Sequence, residues 1–423
     1  WKRIFLIQFL NIAGLGPIFG AIQGALFGPV AFIWIALGSI FAGGVHDYFS
    51  GMLSLRHDGK SISEIVGIYL GDGARQVMRV FSVVLLVLVG TVFMTGPAGL
   101  LANLNLFGLN SLQVWVMIVL LYYFLATILP VDKLIGKLYP IFGASLLIMA
   151  VGIGSMLIIK GYELPAFTLA NLHPKGLPVW AMLFTTIACG AISGFHATQS
   201  PMMARCMTKE SYGRRVFYGS MIAEGVIAMI WAAAGMAFFN GVGGLQEAFA
   251  TNGGAAGVVY TISNQLLGPV GGVLAMLGVI ACPITSGDTA FRSARLTIAD
   301  AMNYEQGPIV KRLLLSLPLF VVGFALTKID FNIIWRYFAW SNQTLAMIVL
   351  WASAAYLVKQ AKSHWMASIP ATFMTAVSIT YIMQAPEGFK LASSIAYPVG
   401  AIAAVVAIGF FIYKSRVQVA PAK

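Results

Sequence analysis

Polar and ionisable side chains occur at a few positions within otherwise apolar stretches of this chain. Ser193, His196 and Gln199 lie close together in one such stretch, and the acids Glu224 and Asp288 lie in two later ones. An ionised carboxylate at the centre of a bilayer costs about 2.5–3.5 kcal/mol on insertion scales, so such residues usually form pairs or take part in function. A histidine there can bind a substrate, relay protons near neutral pH, or be a hydrogen-bonded structural residue.

Two interpretations of the acids stay open at this point. Burial in a membrane favours the protonated form of a carboxyl group, which suits proton coupling by Glu224 or Asp288. The alternative is a structural salt bridge, for Asp288 with Arg205 or Arg292.

The composition is that of an integral membrane protein. Hydrophobic residues make up 59% of the chain and charged residues 9%, with a mean hydropathy of +0.86, whereas soluble domains carry about 25% charged residues. Twelve apolar stretches are long enough to cross a bilayer at about 20 residues each, and we number them as spans 1 to 12. They are residues 3–26, 28–53, 78–103, 110–130, 136–160, 178–206, 214–240, 256–290, 310–328, 332–358, 366–384 and 393–414.

The net charge of +12 follows the membrane topology and does not indicate a nucleic-acid partner. If the N-terminus is cytoplasmic, 21 of the 26 lysines and arginines fall in inner segments and 4 in outer segments, with Arg336 inside span 10. This asymmetry predicts a membrane protein with both termini in the cytoplasm. The pair His46–Asp47 closes span 2, where we expect a cytoplasmic gate or a helix-end pair.

Two spans are interrupted, span 1 at residues 14–20 and span 6 at residues 189–201. Lipid offers no hydrogen-bond partner to broken backbone, so a break predicts a lined cavity or a binding site. In span 1 we expect the second half-helix to start near Pro17, where free N–H groups suit a carboxylate and the preceding carbonyls suit a cation. The alternative is that the glycines serve only close helix packing.

Hydroxyl groups on span 8 and polar residues on spans 6 and 10 are further candidates for contacts with an ion or a substrate. Thr285 and Ser286, together with the span 1 carbonyls, predict a sodium site because hard cations take oxygen ligands. In span 6 we expect Ser200 to cap the second half-helix and Pro201 to open it. The run at residues 340–344 is too polar for lipid and is predicted to face the cavity.

The first ten spans divide into two sets of five, and the second set is inverted because five is odd. Each set begins with an interrupted span, and prolines occur at comparable depths in spans 3 and 8. The sequence therefore predicts an all-α integral membrane protein of about 12 transmembrane helices. We expect residues 1–160 to form the first inverted repeat, 161–358 the second, and 359–423 helices 11 and 12 with a cytoplasmic tail.

These observations define two sets of candidate residues. The substrate-binding set is Gly14, Gly16, Pro17, Gly20, Gly190, Ser193, His196, Gln199, Trp340 and Asn342, and the ion-coupling set is Glu224, Asp288, Thr285 and Ser286. The three cysteines lack metal-ligand spacing, so we expect no disulfide, no zinc site and no cofactor. We expect no enzyme, because Cys189 beside His196 is the nearest thing to a positioned nucleophile. An ion channel is a remote alternative: it would use similar broken helices, but no pore ring of like side chains is evident.

Four segments, residues 11–21, 44–48, 190–201 and 291–295, resemble the carbon starvation protein A (CstA) family, and the resemblance covers nearly the whole chain. It implies a bacterial inner-membrane importer of peptides or pyruvate that is induced when carbon is short. The family is grouped with the amino acid–polyamine–organocation superfamily, which implies a LeuT-like five-plus-five inverted repeat with discontinuous helices 1 and 6.

From these residues and this resemblance we expect a secondary active transporter that works by alternating access. Spans 1, 2, 6 and 7 would move against the other spans, with the substrate carboxylate held by the half-helix N-termini at the midplane. Peptides coupled to protons are the expected substrates, and pyruvate–proton symport or sodium-coupled uptake are the alternatives.

Overall fold

The computed structural model describes residues 1–105, 108–129 and 132–419, and its regular structure in these ranges is helical. By length and composition, eight helices are able to cross a membrane alone, and two bent helix pairs bring the number to ten. The apolar helix Leu112–Ile128 and the broken segment at residues 179–204 correspond to the two remaining predicted spans.

The observed helices agree with the predicted spans within several residues at most ends. In chain order their bounds are Lys2–Ile12 with Gly16–Phe27, Val30–Arg56, Asp72–Leu104, Leu112–Ile128, Asp132–Ile159, Val179–Leu183 and Phe184–Thr186 with Gly194–Ala204, Glu210–Phe238, Gly254–Leu274 with Leu277–Met302, Ile309–Leu326, Phe331–Lys359, Trp365–Gln384, and Ser393–Val419. Two shorter helices, Ile62–Leu70 and Val242–Thr251, connect spans 2 and 3 and spans 7 and 8.

Span 1 is broken where the sequence predicts it. Its two helices are inclined by 58° to each other, and Pro17 lies in the first turn of the second helix. A proline is favourable there because the N–H that it lacks would have no partner within the helix. The prediction that the second half-helix begins near Pro17 is confirmed.

The break in span 6 lies earlier in the chain than predicted. Ser193 has extended backbone (φ −143°) and precedes the helix Gly194–Ala204, which already contains Ser200 and Pro201. The prediction that these two residues begin the half-helix is therefore wrong. Ser200 Oγ instead donates to the carbonyl oxygen of His196 at 2.9 Å. Position 194 needs a residue without a side chain, because a Cβ there would lie 2.5 Å from the carbonyl oxygen of Asn342.

The two breaks pack against each other. A Cβ added to Gly16 would lie 2.0 Å from Cβ of Cys189, and one added to Gly190 would lie 3.6 Å from Cα of Pro17. A Cβ added to Gly14 would likewise lie 2.6 Å from the ring of Phe93. The glycines at the breaks therefore permit close approach of neighbouring spans, as small residues do between membrane helices.

Span 3 packs along Cys282–Met302, the second helix of span 8. Gly90 of span 3 makes room for the ring of Phe291 of span 8. That ring packs against Tyr123 of span 4 and Phe320 of span 9, at centroid distances of 5.7 and 5.2 Å. Contacts of this kind join spans 3, 4, 8 and 9.

The predicted span 8 is longer than one membrane crossing. As one straight helix, residues 254–302 would extend roughly 70 Å at 1.5 Å per residue, more than twice the hydrocarbon thickness of about 30 Å. The structure instead bends the pair by 55°. Gly268 adopts a φ of 62° within the first helix, a conformation that favours glycine.

We expect Gly16→Ala to lower stability because the added Cβ overlaps Cys189. Overpacking of this kind costs about 1–3 kcal/mol. Gly409→Ala is the matched control, because nothing lies within 4 Å of a Cβ at that helical position. Thermal unfolding in detergent measures both variants. Equal unfolding temperatures for Gly16→Ala and the unaltered protein would contradict the close packing of the two breaks.

Candidate substrate and ion-coupling site

Four buried ionisable side chains from three spans form one continuous chain next to the span 6 break. His46 and Asp47 lie on span 2, His196 on span 6 and Glu224 on span 7, and none of them is exposed. Asp47 Oδ1 is 2.7 Å from His46 Nδ1, and its Oδ2 is 2.8 Å from His196 Nδ1. On the other side of that ring, His196 Nε2 lies 3.3 Å from Glu224 Oε2.

The position of the His46–Asp47 pair corrects the sequence analysis. The pair lies near the start of the helix Gly44–Arg56, more than two turns before it ends, so it is not a helix-end pair. Its partner His196 is 149 residues away in sequence. The sequence does carry a signal for this contact. Burying two adjacent ionisable residues in an apolar span is costly, so a third polar partner is expected.

The geometry of this chain places a nitrogen of His196 opposite a carboxyl oxygen of Glu224. An ionised Asp47 can only accept hydrogen bonds, so both histidine rings carry hydrogen on Nδ1, an assignment that rests on the hydrogen-bond network. His196 Nε2 and Glu224 Oε2 lie 3.3 Å apart, and among the residues that the structure describes neither atom has a hydrogen-bond partner. The two groups therefore meet in a buried site without a hydrogen bond between them.

Asn342 of span 10 caps the second half-helix of span 6. Its Oδ1 accepts from the backbone N–H of Phe195 at 2.7 Å and from Ser193 Oγ at 3.1 Å. Its Nδ2 is 3.4 Å from Cys189 Sγ. The side-chain amide therefore occupies the position at a helix N-terminus where a carboxylate is favourable. A ligand carboxylate that binds there has to replace Asn342.

The predicted sodium ligands are only partly brought together. Ser286 Oγ donates to the carbonyl oxygen of Leu10 in span 1 at 3.5 Å. Thr285 Oγ1 donates instead to the carbonyl oxygen of Cys282 in its own helix, at 2.8 Å. Among the residues that the structure describes, no three His, Cys, Asp or Glu side chains form a group able to hold a metal ion.

Asp288 forms an ion pair on its own helix. Its Oδ2 is 3.0 Å from Arg292, one turn further along span 8. This contact matches the structural salt bridge, which was the second interpretation of this acid. Arg205, the other partner considered, donates to the carbonyl oxygen of Gly59 at 2.7 Å.

The remaining candidates lie around the breaks without joining the chain of four. Trp340 Nε1 donates to the carbonyl oxygen of Ser378 in span 11 at 3.1 Å, so this residue is turned away from span 6. Gln199 Nε2 donates to its neighbour Thr198 at 3.0 Å. A Cβ added to Gly20 would lie 3.1 Å from the carbonyl oxygen of Thr186.

The two sides of the membrane region differ around the broken spans. On the side opposite the N-terminus, a cavity of about 520 Å³ lies between spans 1, 6 and 10, with Trp335 and Arg336 in its wall. Arg336 Nε donates there to Glu387 Oε2 at 3.0 Å. On the N-terminal side, Arg56 of span 2 instead contacts Glu210 and Tyr356, which joins span 2 to span 10.

The molecule has the features of a membrane transporter: broken spans packed break to break, a cavity on one side of them and a buried chain of ionisable side chains. Solved structures support this fold. The chain aligns over 98% of its length with 93% of a nucleobase-cation-symport-1 family transporter in a closed conformation (TM-score 0.60, 14% identity). It aligns over 99% of its length with 95% of a mutant manganese transporter from Eremococcus coleocola (TM-score 0.54, 16% identity). The fold is the LeuT-like arrangement of membrane transporters.

The family model of the carbon starvation protein CstA matches residues 2–105 and 99–242, and the chain belongs to this family. An "uncharacterized membrane protein" of Haemophilus influenzae is 43% identical over 297 residues, which are 58% of this chain and 80% of that protein. The peptide transporter CstA of Campylobacter jejuni is 24% identical, with 93% of this chain and 75% of the relative covered. The peptide transporter CstA of Escherichia coli is also 24% identical, with 90% of this chain and 73% of the relative covered.

We expect Asp47→Asn to destabilise the protein strongly. An asparagine can accept from one histidine, but its NH2 group then faces the Nδ1–H of the other, and removing one partner of a buried ionic network costs about 3–5 kcal/mol. Asp72→Asn is the control, because that carboxylate is 81% exposed and its pair with Arg75 contributes little. Chemical or thermal unfolding in detergent compares the two. A small, equal effect of both substitutions would rule out the shared hydrogen bonds of Asp47.

Proposed function

We propose that this protein is a secondary active transporter that imports small peptides across the bacterial inner membrane by alternating access, coupled to protons. The observation that carries the proposal is the buried chain His46–Asp47–His196–Glu224, in which His196 of the span 6 half-helix lies between the carboxyl groups of Asp47 and Glu224. In this proposal the coupling proton is shared between His196 and Glu224. Relatives that carry the name peptide transporter CstA support peptides as the substrate class. The asymmetry of lysine and arginine supports cytoplasmic termini, and the family's name supports use when carbon is short.

The substrate carboxylate binds at the N-terminus of the helix Gly194–Ala204. It replaces the Oδ1 of Asn342 as the acceptor for the N–H of Phe195. Asn342 lies on span 10, whereas Phe195 lies on span 6 of the group that moves. Binding therefore exchanges a contact between the two groups for a contact between substrate and half-helix, which frees the moving group.

The proton acts through the orientation of the same half-helix. His196 lies in its first turn, and Asp47 and Glu224 hold the ring from spans 2 and 7. All three spans belong to the moving group, so the proton travels with it. Release of the proton leaves a nitrogen lone pair against the Glu224 carboxylate. The resulting repulsion shifts the half-helix within the moving group and weakens the contact of its Phe195 N–H with Asn342 of span 10.

We expect Glu224→Gln to lower the proton-driven accumulation of a labelled dipeptide in proteoliposomes tenfold or more. The glutamine keeps the shape and hydrogen-bonding capacity of the side chain but cannot release a proton. Exchange of labelled for unlabelled dipeptide across the membrane should persist, because exchange needs no net proton movement. Glu247→Gln, on the exposed face of a connecting helix, is the matched control.

The same assay distinguishes the alternatives. Dipeptide uptake by Glu224→Gln that still follows an imposed proton gradient would remove this residue from coupling. Labelled pyruvate, taken up in place of dipeptide, would keep the mechanism and change the substrate, because both compounds carry a carboxylate. No gradient-driven uptake of either compound would overturn the transporter proposal.

Sodium coupling is a second candidate, favoured by the 3.5 Å approach of Ser286 Oγ to the Leu10 carbonyl oxygen. In that case Ser286→Ala lowers the stimulation of uptake by an imposed sodium gradient, because one oxygen ligand is lost. Thr297→Val is the control, since that hydroxyl group donates only to the carbonyl oxygen of Ser293 in its own helix. If uptake by the unaltered protein does not depend on the sodium gradient, sodium coupling is excluded.

A further inference from the structure

A groove of about 650 Å³ lies outside the candidate site, on the side of the membrane region where even-numbered spans end. The C-terminal parts of spans 10 and 12 form two of its walls. The end of the helix Ile62–Leu70 and the start of span 3 form the third. Trp351 of span 10 and Phe410 of span 12 line it, and most of its surface is apolar.

The length of the groove matches one leaflet of a bilayer. Its wall on span 10 runs from Ile348 to Val358, which is about 15 Å at 1.5 Å per residue. Half of a hydrocarbon core of about 30 Å has the same thickness. A single acyl chain of one leaflet therefore fits along the groove from its mouth to the midplane.

Positive charge lies at the mouth of the groove. Lys414 of span 12 lines this end. Lys359, at the end of span 10, places its Nζ 5.0 Å from the ring centroid of Tyr69, another lining residue. No Asp or Glu lines the groove among the residues that the structure describes. An anionic group at the level of the lipid phosphates is thus favoured at this end and an acyl chain in the rest.

We propose that this groove binds an anionic phospholipid of the leaflet on the side of the termini, with an acyl chain along Trp351 and the phosphate beside Lys414. The assignment uses the apolar walls, the leaflet-matched length and the lysines at the mouth, and it is independent of the transported substrate.

The groove is connected to the contacts that join span 2 to span 10. The ring of Tyr69 packs on that of Tyr356 at 5.5 Å, and Tyr356 contacts Arg56 of span 2. Tyr69 Oη is also 3.0 Å from Nε2 of His57, the residue that follows the span 2 helix. A lipid packed against Tyr69 therefore supports the contacts that close this side, and it favours the conformation seen here over one open on this side.

Native mass spectrometry of the purified full chain tests the site, with phosphatidylglycerol and phosphatidylcholine of identical acyl chains as probes. We expect preferential retention of phosphatidylglycerol. We expect Lys414→Gln to lower that retention about fivefold, because a lysine near an anionic lipid surface contributes about 1 kcal/mol. Ala355→Phe fills the groove and should abolish retention of both lipids.

The matched control is Ala233→Phe, which fills a second lipid-facing groove, of about 470 Å³, between spans 5 and 7 with no Lys or Arg in its lining. It should leave the preference for phosphatidylglycerol unchanged. If Ala355→Phe does not fold, Ala407→Phe fills the groove from span 12. Equal retention of the two lipids by the unaltered protein would overturn the proposal, and so would unchanged retention in Lys414→Gln or in the folded groove-filling variant.

Discussion

Backbone N–H and C=O groups within a bilayer need partners inside the protein, and the two broken spans concentrate this requirement at one place. The N–H groups that open the second half of span 6 find Asn342 on span 10. The break in span 1 lies directly against that in span 6, with Gly16 on Cys189. Spans 1, 6 and 10 are therefore held together by the hydrogen bonding of backbone groups as well as by packing. Any movement of the half-helix has to supply a new acceptor for the same N–H groups.

This constraint also fixes the ionisable chain. Because the helix begins at Gly194, His196 lies in its first turn, with Asp47 on one side of its ring and Glu224 on the other. If the helix had begun at Ser200, His196 would belong to irregular backbone and its ring direction would not be set by helical geometry. The position of the cap and the position of the His196 ring between two carboxyl groups are thus consequences of one local structure.

Features that depend on neighbouring residues were predictable from the sequence, and features that depend on distant ones were not. Pro17 marks the second half of span 1 because proline acts on its own helix turn. Ser200 and Pro201 satisfy the same local rule, yet the half-helix begins at Gly194, since its cap comes from Asn342, 147 residues after Phe195. His196 and Glu224 were recognisable as costly groups in a membrane. Their contact, and the part played by His46 and Asp47, required the packing of three spans.

The long separation between Asp47 and His196 has a consequence for biosynthesis. Asp47 is synthesised 149 residues before the histidine that holds its second oxygen. At about 5–20 residues per second, roughly 7 to 30 seconds pass before span 6 reaches the membrane. During this interval the nascent chain carries an incompletely paired carboxylate within span 2. Span 2 then has to stay in contact with the insertion machinery or with water until span 6 arrives, so spans 2 and 6 assemble together and not one after the other.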